Sequence, residues 1–405
     1  MKLLVVCQYY YPEPFRIQDI CEEMVKRGHE VTVVTGEPNY PEGVIYPGYE
    51  RHQKSDETIR GVRVHRCPIV PRRKGALYRL LNYFSYPLSA KRFIRTCLAA
   101  DGLPFDAVFV NQLSPVMMAE PAIAYREKYG VPVVMYCLDL WPESLVTGGI
   151  RRNSFVYRVF HKISGRIYRA MDYLLVTSQM FSAYLTGEFQ MENDKIEYLP
   201  QYAEEIFEPS PCRKQDGAFH FTFAGNVGVS QSVATILEAA EKLRDYPLFF
   251  HIVGDGSDLE RLRKIAGEKG LSNVTFYGRL PLHKMPDFYR RADAMLVTLM
   301  ADPTLSLTLP GKVQSYMAAG KPIIGAINGE TAEVIREAQC GFCGEAEDAQ
   351  ALADNILRFI RDENRERMGL NARAFYERHF EKSAFMGKLE GVLDGVISRS
   401  RYARR

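Results

Sequence analysis

Short apolar stretches alternate with helical patterns through almost the whole chain, and they do so in two successive series. Leu3 to Cys7, Val31 to Thr35, Val62 to Arg66, Ala107 to Val110, Val133 to Tyr136 and Tyr173 to Val176 make the first. Phe219 to Ala224, Leu248 to Val253, Val274 to Tyr277, Ala294 to Thr298 and Ile323 to Gly325 make the second. Strands that are apolar on both faces and separated by helices predict parallel sheets covered on both sides. The expected class is therefore α/β, with two Rossmann-like domains. Periodicity breaks between Leu199 and Pro211, where Pro200, Pro209 and Pro211 cluster. A length of 405 residues also exceeds what a single core usually holds. The boundaries expected are 1–203, 204–378 and a C-terminal helix over 379–405.

No run of about 18 uncharged apolar residues occurs, so no helix is expected to span a bilayer. The start, Met1-Lys-Leu-Leu-Val-Val-Cys-Gln, reads as a strand and not as a signal peptide. Eight scattered Cys suit reduced thiols and a cytoplasmic location. Cys340 and Cys343 lack a second pair at zinc-site spacing and read as two small apolar side chains in a strand.

The net charge of +3 is unevenly placed. From Thr58 to Ala100 there is no acidic residue, while Arg72, Arg73, Lys74, Arg79, Lys91, Arg92 and Arg95 sit among Leu77, Leu80, Leu81, Phe84 and Leu88 at helical spacing. From Arg151 to Met171 acids are again absent, and Phe155, Val159, Phe160, Ile163 and Ile167 accompany Arg158, Lys162, Arg166 and Arg169. Two basic amphipathic helices, over 72–98 and 151–171, suit an anionic membrane surface. The plain alternative is a pair of core-packing helices with basic outer faces. Nucleic acid is not expected, since the whole chain is near neutral and the aromatics follow the apolar pattern.

Ligands of open parallel sheets sit beyond the carboxyl ends of the strands. In the second series those junctions are glycine-rich: Phe223-Ala-Gly-Asn-Val-Gly228, Val253-Gly-Asp-Gly256 and Phe276-Tyr-Gly-Arg279. None matches a dinucleotide fingerprint or a phosphate loop of the Gly-Lys-Ser/Thr kind. The segment Thr308-Leu-Pro-Gly-Lys-Val-Gln-Ser-Tyr-Met-Ala-Ala-Gly-Lys-Pro-Ile-Ile-Gly325 adds a helix opened at Pro310 and closed by Gly320, with Lys312 in its first turn. A cation there opposes the helix dipole unless an anion lies between them. Lys312 therefore reads as a diphosphate ligand, against the alternative of a solvated surface lysine.

These residues resemble the retaining GT-B glycosyltransferases of family 4. The likeness is carried by Phe223-Ala-Gly-Asn226, Val253-Gly-Asp-Gly256, Asn273 to Gly278, Ala292 to Val297, Pro310 to Gly325 and Gly329-Glu-Thr-Ala-Glu-Val-Ile335. In the first half it continues through Tyr9-Tyr-Tyr-Pro12, Arg27 to Val31 and Asp139-Leu-Trp-Pro-Glu-Ser144. In detail it is most similar to the bacterial branch that builds O-antigen and capsule repeat units, which includes N-acetylfucosamine transferases. The resemblance implies a nucleotide sugar, with UDP as the nucleotide, held by the C-terminal domain. It implies a polyprenyl-diphosphate-linked saccharide held by the N-terminal domain, a cleft between the two, and a last helix crossing back to the first. It further implies retention by a front-face route that needs no metal or other cofactor, in which the leaving diphosphate accepts the acceptor's proton.

On that resemblance Lys312 and Asp139 are the catalytic candidates. Gly225, Asn226, Gly254, Gly256, Arg279, Thr308, Leu309, Pro310, Gly311, Ser315, Glu330 and Glu333 are the donor-binding ones. Glu13, Arg16, Trp141 and Glu143 are assigned to the acceptor. Thr308 and Ser315 stand near where many relatives carry a pair of Glu residues, Asn226 stands near an expected Arg, and Leu138 replaces a common His beside Asp139. Several residues keep a second reading. Asp139 reads also as a helix N-cap, Trp141 as core, Glu333 as a charge complementing its helix N-terminus, and Arg16 as charge on an exposed helix start. A nucleotide-sugar epimerase of the same architecture and a non-catalytic nucleotide-sugar scaffold remain the rival functions.

Overall fold

The computed structural model describes residues 1–73, 75–96, 98, 104–209 and 217–403. Lys74 and Pro211, singled out above, and the residues at 97 and 99–103 lie outside this set. The chain divides into two units, Met1–Leu199 with Met386–Arg405, and Pro200–Phe385.

The first unit runs β1 (Lys2–Val6), α1 (Ile17–Lys26), β2 (Glu30–Gly36), β3 (Asp56–Ile59), β4 (Val62–Cys67), α2 (Ala76–Thr96), β5 (Ala107–Gln112) and α3 (Glu120–Tyr129). It continues through β6 (Val133–Cys137), α4 (Glu143–Thr147), α5 (Phe155–Arg169), β7 (Tyr173–Val176), α6 (Gln179–Phe189) and β8 (Ile196–Tyr198). The strand order is β3-β4-β2-β1-β5-β6-β7-β8. Every pairing is parallel except β3 with β4. Val5, Val33, Val108, Phe109, Val134 and Leu174 are fully or almost fully buried, as a sheet covered on both faces requires.

The second unit runs β9 (Phe219–Ala224), α7 (Val233–Lys242), β10 (Leu248–Val253), α8 (Leu259–Glu268), β11 (Val274–Gly278), α9 (Met285–Arg291) and β12 (Ala294–Thr298). Then come α10 (Gly311–Ala318), β13 (Ile323–Ala326), α11 (Glu330–Glu337), β14 (Gly341–Gly344), α12 (Ala349–Arg361), α13 (Arg365–His379) and α14 (Lys382–Ala403). Its six strands are all parallel, in the order β11-β10-β9-β12-β13-β14. Alternate residues of β9 feed two cores. Phe221 and Phe223 join Ile236, Leu262 and Ile356, whereas Ala224 joins Val297, Tyr316 and Ala372. Cys343 lies in β14, and both it and Cys340 are free thiols.

From Met386 onward α14 belongs to the first unit. Glu390 accepts from Arg27 Nη1 at 2.9 Å and contacts His29 Nε2 at 2.8 Å, while Lys388 pairs with Glu197 and Arg401 with Asp106.

The two basic helices form, but α2 is turned the other way from a core-packing helix of its sequence. Its inward face is Asn82, Tyr83, Tyr86, Ala90 and Ile94. There Tyr86 OH donates to Val34 O at 2.8 Å, and Asn82 accepts from Gln8 Nε2 and donates to Val70 O. The leucines point outward. In α5 Phe160 and Ile167 are buried while Phe155 and Val159 are exposed. Among the described residues no helix is long and apolar enough to cross a membrane.

Candidate functional site

In the second sheet the strand order reverses between β9 and β12, and a crevice at the carboxyl end of such a pair is where doubly wound folds bind ligands. The loop leaving β9 starts at Gly225, whose φ of 147° is open only to glycine, and Gly225 N donates to Val253 O at 2.9 Å. Behind it the loop after β10 packs backbone to backbone. A Cβ on Gly254 would sit 1.7 Å from Gly225 O, and one on Gly256 would sit 2.4 Å from Val227 O. Asn226 is exposed and close to Gly228 and Gly256.

α10 is aimed at this loop by Tyr316, which donates to Ala224 O and accepts from Ala224 N, both at 3.0 Å. Pro310 is its N-cap in extended conformation, and no side chain caps the turn. The first N–H groups of such a helix have no intrahelical acceptor. Lys312, half-buried in that first turn, passes beside Gly225, where a Cβ would lie 3.1 Å from Lys312 Cε. Its Nζ donates to Gln231 Oε1 at 2.6 Å and lies 4.0 Å from the Phe223 ring centroid. Among the described residues Lys312 forms no ion pair, and burial pushes its ammonium down to about 7. A desolvated cation with only a neutral amide and a ring face as partners, beside open helix N–H groups, is a site completed by an anion.

The linkage gives an expected result. An ammonium held near 7 is largely discharged at pH 8, and an anion docking beside it would restore the charge, so anion binding at this point should take up a proton. Calorimetry of UDP binding in buffers of different ionisation enthalpy should show uptake approaching one proton for the wild type and none for Lys312→Met.

The neighbouring loop is locked to α11. Thr308 O accepts from Thr331 Oγ1 at 3.0 Å, and Gly329, with φ of 68°, has no room for a Cβ, which would fall 2.0 Å from Ser306 O. Thr308 Oγ1 turns back to Leu305 O. Glu330 is buried at the start of α11, whereas Glu333 is exposed on it. Ser315, one turn beyond Lys312, donates to Glu204 Oε2 at 3.2 Å. Gly225, Gly254, Gly256, Pro310, Gly311 and Lys312 are thus brought together at the carboxyl end of β9. Leu309 does not join them, being 6% exposed within the core beside Val313 and Tyr316. Arg279 is exposed after the edge strand β11, two strands from β9, and is not brought to Lys312. Sequence reasoning missed Gln231, Phe223, Tyr316 and Glu204; a turn glutamine and a strand phenylalanine carry no signal of their own.

In the first unit Asp139 follows β6. Its Oδ1 accepts from Ser144 Oγ at 2.6 Å and its carbonyl accepts from Gln112 Nε2 at 3.0 Å, and burial raises its pKa. The N-cap of α4 is Pro142, with no side-chain cap, so Asp139 is a staple to the first turn and not its cap. Three acceptor assignments need correction on burial. Trp141 is 0% exposed, donates through Nε1 to Ser114 Oγ at 2.7 Å and packs edge-on against Tyr83 and Phe160, so it is core and offers no face to a sugar. Glu143 is buried beneath Tyr157 OH, Tyr184 OH and Arg152. Glu13 is likewise buried and accepts from the backbone N–H groups of Tyr10, Asn39 and Tyr40, with burial pushing it up to about 7. Arg16, half-buried at the N-cap of α1, is close enough for its charge to be felt at Tyr136.

Comparison with known proteins follows the same division. Residues 15–201 match the sequence model of the "Glycosyl transferase 4-like domain", and residues 206–375 that of "Glycosyl transferases group 1". The chain is 26% identical over 309 residues to the probable glycosyltransferase WbjE of Pseudomonas aeruginosa, covering 73% of this chain and 76% of that one. It is 26% identical over 341 residues to the putative colanic acid biosynthesis glycosyl transferase WcaI of Escherichia coli K12, covering 79% and 82%. Among solved structures, Anabaena Alr3699/HepE in complex with UDP superposes with a TM-score of 0.73 at 16% identity, covering 98% of this chain and 100% of that one.

Proposed function

This chain belongs to the GT-B glycosyltransferases of family 4, and on that premise we propose that it moves a sugar, with retention, from a UDP-sugar to a polyprenyl-diphosphate-linked saccharide during assembly of a bacterial surface polysaccharide. The observation that carries the donor half is Lys312, an ammonium with no ion pair among the described residues, held beside Gly225 at the open end of α10. The nucleotide's diphosphate is the anion that fits. The reading of UDP is supported by the UDP bound to the HepE neighbour, and that of a surface polysaccharide by the colanic acid relative.

As the bond from the sugar to the diphosphate breaks, negative charge grows on the leaving oxygen. Lys312 and the first N–H groups of α10 are donors fixed in advance for that charge, and donors of this kind contribute most where water is excluded. The protein then needs no carboxylate pair astride the anomeric carbon, in contrast to a retaining glycosidase. The diphosphate oxygen itself takes the acceptor's proton. Glu330, Glu333, Thr308 and Ser315 are proposed for the sugar and ribose hydroxyls, with Glu204 supplying a carboxylate beside Ser315. In the first unit, Asp139 is the proposed acceptor-positioning carboxylate and Arg16 the proposed contact to the acceptor phosphate. The lipid-linked acceptor places the enzyme at the cytoplasmic face of the membrane.

The test is release of free nucleotide from UDP-, GDP- and TDP-sugars, UDP-N-acetylfucosamine included, with and without polyprenyl-diphosphate-linked mono- and disaccharides. UDP release that depends on a lipid-linked acceptor is the expected result. Interconversion of the sugar without any acceptor would identify an epimerase, and tight binding with no release under any pairing would identify a scaffold.

A further inference from the structure

Glu13 is 0% exposed and so does not meet the acceptor, yet a buried carboxylate is an expensive side chain for packing alone. Among the described residues its partners are backbone N–H groups and not cations. Oε2 accepts from Tyr10 N at 3.3 Å, and Oε1 accepts from Asn39 N at 2.8 Å and from Tyr40 N at 2.7 Å. One side chain therefore ties the loop after β1 to the loop after β2. Asn39 passes the tie on, its Oδ1 accepting at 3.0 Å from Arg72 N in the segment that follows β4. Rings close the same joint, with the Phe15 centroid 5.3 Å from that of Tyr40 and 5.1 Å from that of Tyr9. Arg66 of β4 also holds the β1 loop, donating from Nη2 to Tyr11 O at 2.9 Å.

These loops leave the carboxyl ends of β1, β2 and β4, which are neighbours in the sheet, and that end is where open parallel sheets bind their ligands. Arg16 lies on the same β1 loop three residues after Glu13, at the N-cap of α1, with its charge felt at Tyr136 of β6. A glutamine would fill the space of Glu13 without the cost of a buried charge. It has a single acceptor oxygen, however, and its NH2 would face an N–H of one loop or the other. Only a carboxylate serves both loops at once.

We propose that Glu13 is a positioning residue for the acceptor: without touching substrate, its carboxylate locks the loops after β1 and β2 into one rim and so holds Arg16 for the acceptor phosphate. This rests on the reading of Arg16 given above and deepens it. The lock is complete only while the carboxylate is ionised, since a proton on either oxygen takes a lone pair that the N–H donors use. Burial pushes the group up to about 7 against the pull of those donors, so the rim should loosen as pH falls through 7. The charged and titratable groups around it are Cys7 and Tyr9 of the β1 side, Arg66, Arg72, and the Glu37–His52 pair next to Asn39.

Hydrogen–deuterium exchange of the full chain tests the lock without any substrate, read on peptides covering 9–16 and 37–43 and corrected for the intrinsic pH dependence of exchange. In wild type both peptides should exchange about tenfold faster at pH 6 than at pH 8, and Glu13→Gln should exchange fast at both. In transfer assays at pH 8, Glu13→Gln should raise the acceptor KM about tenfold, with kcat and the UDP-sugar KM within about twofold of wild type. The wild-type acceptor KM should climb toward that of the variant as pH falls to 6, and His52→Asn should keep this profile. Exchange that neither pH nor Glu13→Gln alters overturns the proposal. So does a rise in both KM values together, a fall in kcat alone, or a pH profile that disappears with His52. If Glu13→Gln fails to fold, shown by lost UDP binding, the wild-type exchange at pH 6 and pH 8 decides by itself. Wild type whose loops respond as expected but which turns over no acceptor overturns the transfer reading and not the lock.

Discussion

Lys312→Met should cut transfer about a hundredfold or more, the scale of losing one preorganised donor to a developing oxyanion, while making the unliganded protein more stable. The two effects have one cause. In the wild type an ammonium is held half-buried against Phe223 and Gln231 with no carboxylate paired to it among the described residues, and its pKa falls from 10.5 to about 7. Between those values the unfolded chain holds a proton that the native state has shed, so stability from this group rises with pH across the window. Below about pH 7 both states are charged, and the full cost of burying the charge is present. Methionine has similar reach and no charge. Its gain in melting temperature over wild type should therefore be largest below pH 7 and shrink toward pH 10.

Saturating UDP should reverse the order, stabilising wild type and scarcely moving the variant. A merely structural lysine would lose stability on substitution and keep its turnover. Unchanged kcat with unchanged UDP affinity would remove Lys312 from the mechanism. Functional sites are commonly built at the expense of stability, and here the expense sits on one side chain.

Why Lys312 was legible while its surroundings were not is a matter of what local pattern records. Pro310 and Gly320 mark the two ends of α10, so a lysine in the first turn is visible as an electrostatic anomaly before any coordinates. Gln231 belongs to a 3-10 turn after β9, and nothing local distinguishes it from any polar loop residue. The central parallel strands β1, β2, β5, β6 and β12 were legible because burial on both faces writes a continuous apolar run. β3 and β8 were not, since both are short and only partly buried, and β3 pairs antiparallel at the sheet edge. α2 shows the deeper limit. Periodicity finds the apolar stripe of Leu77 to Leu88 without saying which way it points. The opposite face, with Tyr83, Tyr86 and Asn82, wins the interior because its polar atoms find Val34 O, Val70 O and Gln8. Trp141 and Glu143 failed as acceptor residues for a related reason: adjacency to Asp139 in sequence placed them near a strand end, but their side chains turn into the core.

The second large effect is expected at Gly254. Alanine there would bring its Cβ to 1.7 Å from Gly225 O, a backbone atom that no rotamer can move aside, and would hold a side chain at φ of 147°. Backbone strain of about 1–3 kcal/mol and overpacking of similar size both apply. The loops after β9 and β10 must therefore separate, and the hydrogen bonds from Gly225 N to Val253 O and from Val227 N to Asp255 O go with them. Gly254→Ala should lower the melting temperature by several degrees, and it should abolish UDP binding even where the fold survives, because Gly225 is the floor beneath Lys312. Gly267→Ala is the internal control. That glycine lies in α8 with open space around its Cβ position, so alanine there should be neutral or stabilise by about 0.5–1 kcal/mol and leave UDP binding intact. Circular dichroism melts with UDP titration of both variants decide the point. If Gly254→Ala binds UDP as wild type does, the two glycine loops are scaffold for the sheet and the anion site is made by α10 alone.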